Sequence, residues 1–274
     1  MNWHFNSVAV AAALLSVASC GNSVDGPEGT KTLQTDGIRI TWIQDNAKER
    51  LMERSLFPDA SDSLVASLGL QDGIPSTVSV FLVETDGKKI LFDTGLGLPD
   101  SRMLPSLQAL GVAPEDIDYL YITHFHGDHI GGMLKDGKPV FPEAQVYVPE
   151  KEYDAWMTMP EDRKAQVEET MAAYQDRLHL FTAGDTLPGN VLSIDAPGHT
   201  PGHTVYRVGD FLIVGDLMHG VALQMEHPEI CASYDMDFPS AVSARKEVLK
   251  YASDSSLTMA GMHFPAPAFI QAGK

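Results

Sequence analysis

The stretch that most constrains this chain is residues 123–132, which read T-H-F-H-G-D-H-I-G-G. Three of the chain's ten histidines and one aspartate, His124, His126, Asp128 and His129, fall within six residues. Chance does not gather them so tightly into an ordinary surface loop. Imidazole together with carboxylate suits zinc and similar borderline cations. The preceding residues 118–123 (DYLYIT) have the composition of a buried strand, and Gly131-Gly132 suggest a tight turn into a helix. Loops at strand ends are where functional residues concentrate. Side chains alternate along an extended chain, so His124 and His126 face one way and can reach one ion. Asp128 and His129 then turn away and can reach a second.

Around this motif, strands and helices interleave. Residues 77–83 (TVSVFLV) and 89–92 (KILF) read as strands, and Asp86-Gly87 between them is a strong hairpin signal. Further strands are expected at 118–123, 145–148, 191–195, 204–208, 211–214 and 257–260. Residues 161–177 are charged and helix-prone, and residues 240–252 carry Val242, Val248 and Leu249 at helical spacing. There is no repeat of fixed period and no internal Gly/Ser linker. One α/β domain is therefore expected.

The first residues are set apart from this pattern. Residues 8–18 (VAVAAALLSVA) form an uncharged apolar run, long enough for a signal-peptide core and too short to span a bilayer. Residues 1–7 before it contain no Lys or Arg, whereas export signals ordinarily begin with positive charge. Residues 21–31, rich in Gly, Ser, Asp and Pro, read as a flexible tether. The expected division is a signal over 1–19, a tether over 20–36 and one folded domain over 37–274. With 37 acidic against 19 basic side chains, the formal charge is −18. Such a surface argues against nucleic acid and against an anionic membrane as the main partner. Two cysteines, Cys20 and Cys231, exclude a disulfide scaffold.

The motif H-x-H-x-D-H at His124–His129 resembles that of the metallo-β-lactamase superfamily. Other landmarks follow in order: D-T-G at Asp93, A-P-G-H-T-P-G-H at residues 196–203, F-L-I-V-G-D ending at Asp216, and A-G-M-H-F-P-A-P with His263. The resemblance runs from about residue 38 to 268. It implies a four-layered αββα sandwich with two divalent metal ions, most simply zinc, at one edge of two packed sheets. His124, His126 and His199 would hold one ion, and Asp128, His129 and His263 the other. Asp216 would bridge both, and Asp93 would support the site from behind. A hydroxide bridging two cations is a nucleophile near neutral pH, because coordination lowers the pKa of water from 15.7 to about 7. Asp128 and Asp216 are thus the expected catalytic carboxylates, Asp128 helping to move a proton to the leaving group. His203 reads as a structural hydrogen-bonding residue. His219 stands where lactonases of the superfamily commonly carry a substrate-contacting tyrosine. His179 and His227 have no motif around them. Trp156, Met157 and Met159 would line a pocket or pack a helix face. Separately, Val17-Ala18-Ser19-Cys20 resembles the lipobox of bacterial lipoproteins, which implies removal of residues 1–19 and a lipid on Cys20, leaving Cys231 unpaired.

The bridging Asp216 disfavours a true β-lactamase, and the eleven residues after His263 disfavour glyoxalase II with its helical extension. Residues 215–267 look most like the branch containing methyl parathion hydrolase. The expected function is an exported, lipid-anchored metallo-hydrolase of a small ester-like, lactone or phosphotriester substrate, facing the periplasm or exterior. The alternatives are an N-acyl homoserine lactonase, a soluble periplasmic enzyme and a metal-binding lipoprotein without turnover.

Overall fold

The computed structural model describes residues 22–48 and 50–273. The expected signal over 1–19 and Cys20 lie outside the described residues. Fourteen strands fall into two main sheets. The first runs, in spatial order, Asn22–Asp25, Thr30–Thr35, Ile38–Gln44, Ser79–Thr85, Lys88–Phe92, Tyr119–Tyr121, Gln145–Pro149 and Leu178–Phe181. The second runs Thr186–Leu187, Val191–Asp195, Thr204–Val208, Phe211–Gly215, Thr258–Gly261 and Phe269–Gln271. From Lys88–Phe92 to Leu178–Phe181 the first sheet is parallel; its other half is antiparallel.

Alternation along the strands explains how the layers stack. Phe81 and Val83 point between the sheets and meet Tyr206, Ile213 and Phe269 in one core. Val80 and Leu82, one residue out of step, point the other way and pack with Met103, Leu107, Val167 and Met171. Those residues belong to the helices Met103–Ala109 and Glu161–Ala173. On the far side, the helix Phe238–Asp254 sets Ala244, Val248 and Ala252 against the second sheet. The result is the expected helix–sheet–sheet–helix sandwich in a single domain. A satellite cluster joins Phe57, Val65 and Ile74 to Leu223, Ile230 and Ala232, fastening residues 50–76 beside the loop after Phe211–Gly215.

The tether expected over 20–36 is corrected by two strands, Asn22–Asp25 and Thr30–Thr35, that extend the first sheet. The Gly- and Pro-containing residues 26–29 turn the chain between them. Asp36 and Gly37, both at positive φ, close a hairpin onto Ile38–Gln44, and Leu33 enters the core beside Ile40. Composition identified the turn residues and missed that strands flank them. Asp86-Gly87 forms the expected hairpin turn, with φ of 51° and 71°. Trp156 is buried in the helix-side core with Met157 and Met159 against it, so these three pack a helix face.

Candidate metal centre

The seven expected ligands converge from four segments at one edge of the two sheets. The strand Tyr119–Tyr121 delivers Thr123, whose backbone N–H and hydroxyl both donate to Asp93, at 2.8 and 2.7 Å. Asp93 has φ of 57°, a strained turn that these two bonds and His129 hold in place. His126 stands at the N-terminus of the short helix Gly127–Ile130, which carries Asp128 and His129. Glycines let this segment fit: a Cβ on Gly132 would run into the carbonyl of Thr94.

Three ring nitrogens face one another: His124 Nε2 to His126 Nδ1 at 3.0 Å, His126 Nδ1 to His199 Nε2 at 2.9 Å, and His199 Nε2 to His124 Nε2 at 3.1 Å. Tetrahedral zinc with bonds of about 2.0–2.1 Å to nitrogen spaces its ligands by about 3.3 Å, close to this triangle. A second set comprises Asp128, His129 and His263, with His263 Nε2 3.4 Å from Asp128 Oδ2. Asp216 touches both sets. Its Oδ2 lies 3.3 Å from His199 Nε2 and 3.1 Å from His263 Nε2, and its Oδ1 lies 3.1 Å from His129 Nε2.

The outward nitrogens show where the protons reside. His129 Nδ1 donates to Asp93 at 2.7 Å, His199 Nδ1 to Asp235 at 3.0 Å, His263 Nδ1 to the Thr77 carbonyl at 2.8 Å and His124 Nδ1 to the Thr123 hydroxyl at 3.0 Å. That leaves bare lone pairs pointing inward. Among the described residues, the buried His129 Nε2 and Asp216 Oδ1 have no hydrogen-bond partner. A cluster of lone pairs and carboxylate oxygens, with orphaned buried atoms, is what divalent cations satisfy. The donor set therefore fits two ions.

Electrostatics among the protein groups differ between the two sets: the first set favours neutral rings at His124 and His126, while in the second the carboxylates favour a charged His129 and His263, whose inward protons an ion would displace. Burial, reinforced by His199, pushes His126 down to about 3, so that ring is neutral and ready to coordinate. Burial works against a charged His263, but Asp216 and Asp128 outweigh it and raise its pKa to about 9. Burial likewise opposes ionised Asp216, and His129 and His263 hold it well below the carboxylate range. Of the carboxylates in the cluster, the Asp128 side chain is 23% exposed and Asp216 only 2%, so solvent reaches the site past Asp128.

His203 takes the structural place expected of it. Its Nδ1 donates to the Ala196 carbonyl at 3.0 Å and its Nε2 accepts the Asp216 N–H at 3.0 Å. His219 is part of the cluster: Nε2 is 3.2 Å from Asp216 Oδ2, the ring stacks on His263, and among the described residues the buried Nδ1 has no hydrogen-bond partner. His179 and His227 lie elsewhere, bonded to Gln145 and Glu229.

Sequence reasoning missed Glu152. It is fully buried and accepts from Phe125 N at 3.0 Å, Gly202 N at 2.8 Å, Thr200 Oγ1 at 2.8 Å and Trp156 Nε1 at 2.6 Å. One carboxylate thus ties the loop of His124 and His126 to the loop of His199. The available signal was its place four residues before Trp156, on the same face of the helix Glu150–Met157. Asp235 and Thr77 were missed as well, and no motif marked either.

Comparison with known proteins gives the same family. The model of the metallo-beta-lactamase superfamily matches residues 73–263. The uncharacterized protein YobT of Bacillus subtilis (strain 168) is 29% identical over 62% of this chain and 73% of its own. A hydroxyacylglutathione hydrolase of Shewanella baltica (strain OS223) is 32% identical over 42% of this chain, and the match spans 44% of that enzyme. Among solved structures, the hydrolase AbOPH of the beta lactamase superfamily superposes with a TM-score of 0.80 at 28% identity, over 89% of this chain and 92% of that one. AidC, a dizinc quorum-quenching lactonase, superposes with a TM-score of 0.81 at 27% identity, over 89% and 93%. With its two-sheet fold, its ordered ligand motifs and these matches, the chain belongs to the metallo-β-lactamase superfamily as a metal-dependent hydrolase.

Proposed function

We propose that the chain is a dinuclear hydrolase of small ester-like, lactone or phosphotriester bonds, with a lactone the first substrate class to try. The observation that carries this reading is Asp216, whose two oxygens face the His124–His126–His199 set and the Asp128–His129–His263 set at once. Two divalent ions held there would lower the pKa of water to about 7 and polarise the attacked carbonyl or phosphoryl oxygen. The protein's own groups do the rest. Asp216 fixes the separation of the two sets. Asp128, at the open side, is placed to hand a proton to the leaving oxygen. His219 is buried beside the cluster, its Nε2 3.2 Å from Asp216 Oδ2 and its ring stacked on His263, so it helps to hold those two side chains in place. Buried walls elsewhere keep bulk water from the charged centre.

The overall likeness to AidC, solved with a product N-acyl homoserine, favours the N-acyl homoserine lactonase reading within this class. The resemblance of residues 215–267 to the branch containing methyl parathion hydrolase keeps phosphotriesters in view. The test is a panel of N-acyl homoserine lactones, simple aryl esters and dialkyl aryl phosphates, assayed with the zinc-loaded full chain and with Asp216→Ala. Lactone turnover above buffer that disappears in Asp216→Ala supports the reading. Two bound ions with no turnover of any class would leave a metal-binding protein without catalysis. A second part of the proposal is export with a lipid on Cys20, supported by the Val-Ala-Ser-Cys sequence after an apolar run. Labelled palmitate incorporated by wild type and not by Cys20→Ala is the expected result. Equal labelling of both would remove the anchor and leave a soluble periplasmic enzyme as the alternative.

A further inference from the structure

Behind His199 lies a buried ion pair that no sequence motif announces. Asp235 is 5% exposed and Arg245 1%. Asp235 Oδ1 accepts from His199 Nδ1 at 3.0 Å, and its Oδ2 accepts from Arg245 Nη2 at 3.1 Å. Arg245 projects from the helix Phe238–Asp254, and its other donors are also engaged. Nε donates to the Leu217 carbonyl at 2.8 Å, and Nη1 to the carbonyls of Pro228 at 2.8 Å and Ile230 at 3.2 Å. Packing alone is a weak reason to keep such a pair, since apolar replacements of buried ion pairs are often neutral or stabilising.

The pair's connections point to a different role. Asp235 turns its Oδ1 to the one His199 nitrogen that faces away from His124 and His126. The same guanidinium grips the carbonyl of Leu217, the residue after Asp216. One fixed cation thus sets both a first-set histidine and the segment carrying the carboxylate shared by both sets. Guanidinium is planar and permanently charged, so Asp235 can neither swing away nor give up its acceptor role.

We propose that Asp235, clamped by Arg245, is a positioning residue for His199: it holds the proton on Nδ1, aims the Nε2 lone pair at the His124–His126 set, and thereby strengthens that set's grip on a divalent ion. This inference rests on the metal reading of the site. Carboxylates that orient metal-bound histidines are worth about 10–100-fold in affinity, and that is the effect expected here.

The test titrates zinc and cobalt into the chelator-stripped full chain and follows both affinity and the cobalt absorption bands. In Asp235→Asn, Arg245 demands the amide oxygen and turns the NH2 toward His199, which reverses the ring's tautomer. The expected result is a 10–100-fold higher Kd for one of two ions and altered cobalt bands. Asp235→Leu/Arg245→Met leaves no buried charge unpaired, so it guards against misfolding of the single variant, and its affinity should stay equally weak. In the zinc-loaded wild type, the His199 Nδ1 proton should give a slowly exchanging imidazole NMR signal. A folded variant of either kind that matches wild-type affinity within about threefold, or a His199 proton that is absent from Nδ1, overturns the proposal. Failure of the wild type to bind any ion would instead overturn the metal reading itself.

Discussion

Asp216 Oδ1 lies 3.1 Å from His129 Nε2, and among the described residues neither buried atom has a hydrogen-bond partner. A neutral His129, with its one proton on Nδ1 toward Asp93, turns a lone pair and not a donor to Asp216, and two acceptors facing each other mark the place of an ion. Asp216→Ala removes the carboxylate common to both ligand sets. The expected outcome is loss of one of two bound ions by elemental analysis and a fall in turnover beyond about 100-fold, since loss of even the partners of metal ligands costs about 10–100-fold. Wild-type metal content and turnover in this variant would contradict the shared role of Asp216.

Glu152 gathers four donors from two ligand loops and from Trp156. In Glu152→Gln, one oxygen becomes an NH2 that faces donors instead of accepting from them. Burial raises the pKa of Glu152 against the pull of its four donors, so its charge is not cheap to keep and the donors carry the balance. A loss of about 1–3 kcal/mol in urea unfolding is expected from the donors left unmet. An unchanged unfolding midpoint would show that the carboxylate does not tie the loops.

His263 is raised to about 9 despite burial, because Asp216 and Asp128 favour its charged form. A metal needs the neutral ring. The sign follows: below about pH 9 metal uptake must expel this proton, so affinity climbs with pH up to about 9 and levels above it. Without metal, the raised pKa contributes stability that is fully present below about 6.5 and is lost as pH rises through about 9. Calorimetric zinc titrations at pH 7.5 in two buffers of different ionisation heat should reveal proton release. Identical heats in both buffers would contradict the assignment.

Gly198 precedes His199 with φ of 130°, and a Cβ there would overlap the backbone of Ala241 at the start of the helix Phe238–Asp254. Gly198→Ala should therefore force the His199 loop off the helix. Overpacking of this kind costs about 1–3 kcal/mol, measurable as a lower melting temperature together with weaker zinc binding. A wild-type melting temperature would show that the loop has room the structure does not display.

Much of the centre was legible because its chemistry is local in sequence. His124, His126, Asp128 and His129 announce themselves within one loop, and His199, Asp216 and His263 each follow a recognisable strand-end phrase. The residues that orient them were not legible. Glu152, Thr77 and Asp235 belong to segments whose approach to the ligands depends on how the sheets pack, and a single buried carboxylate or carbonyl leaves no pattern in sequence. The first two strands were hidden for a related reason. Residues 22–35 have a tether's composition, and only pairing with Ile38–Gln44 makes Leu33 a core residue.

The most direct test of the account is the metal content of the purified full chain after zinc loading and desalting, measured alongside hydrolysis of an N-acyl homoserine lactone. Two zinc ions per chain, with turnover that vanishes on chelation and returns on reloading, is the predicted result. One ion or fewer per chain, or turnover that survives complete removal of metal, would contradict it.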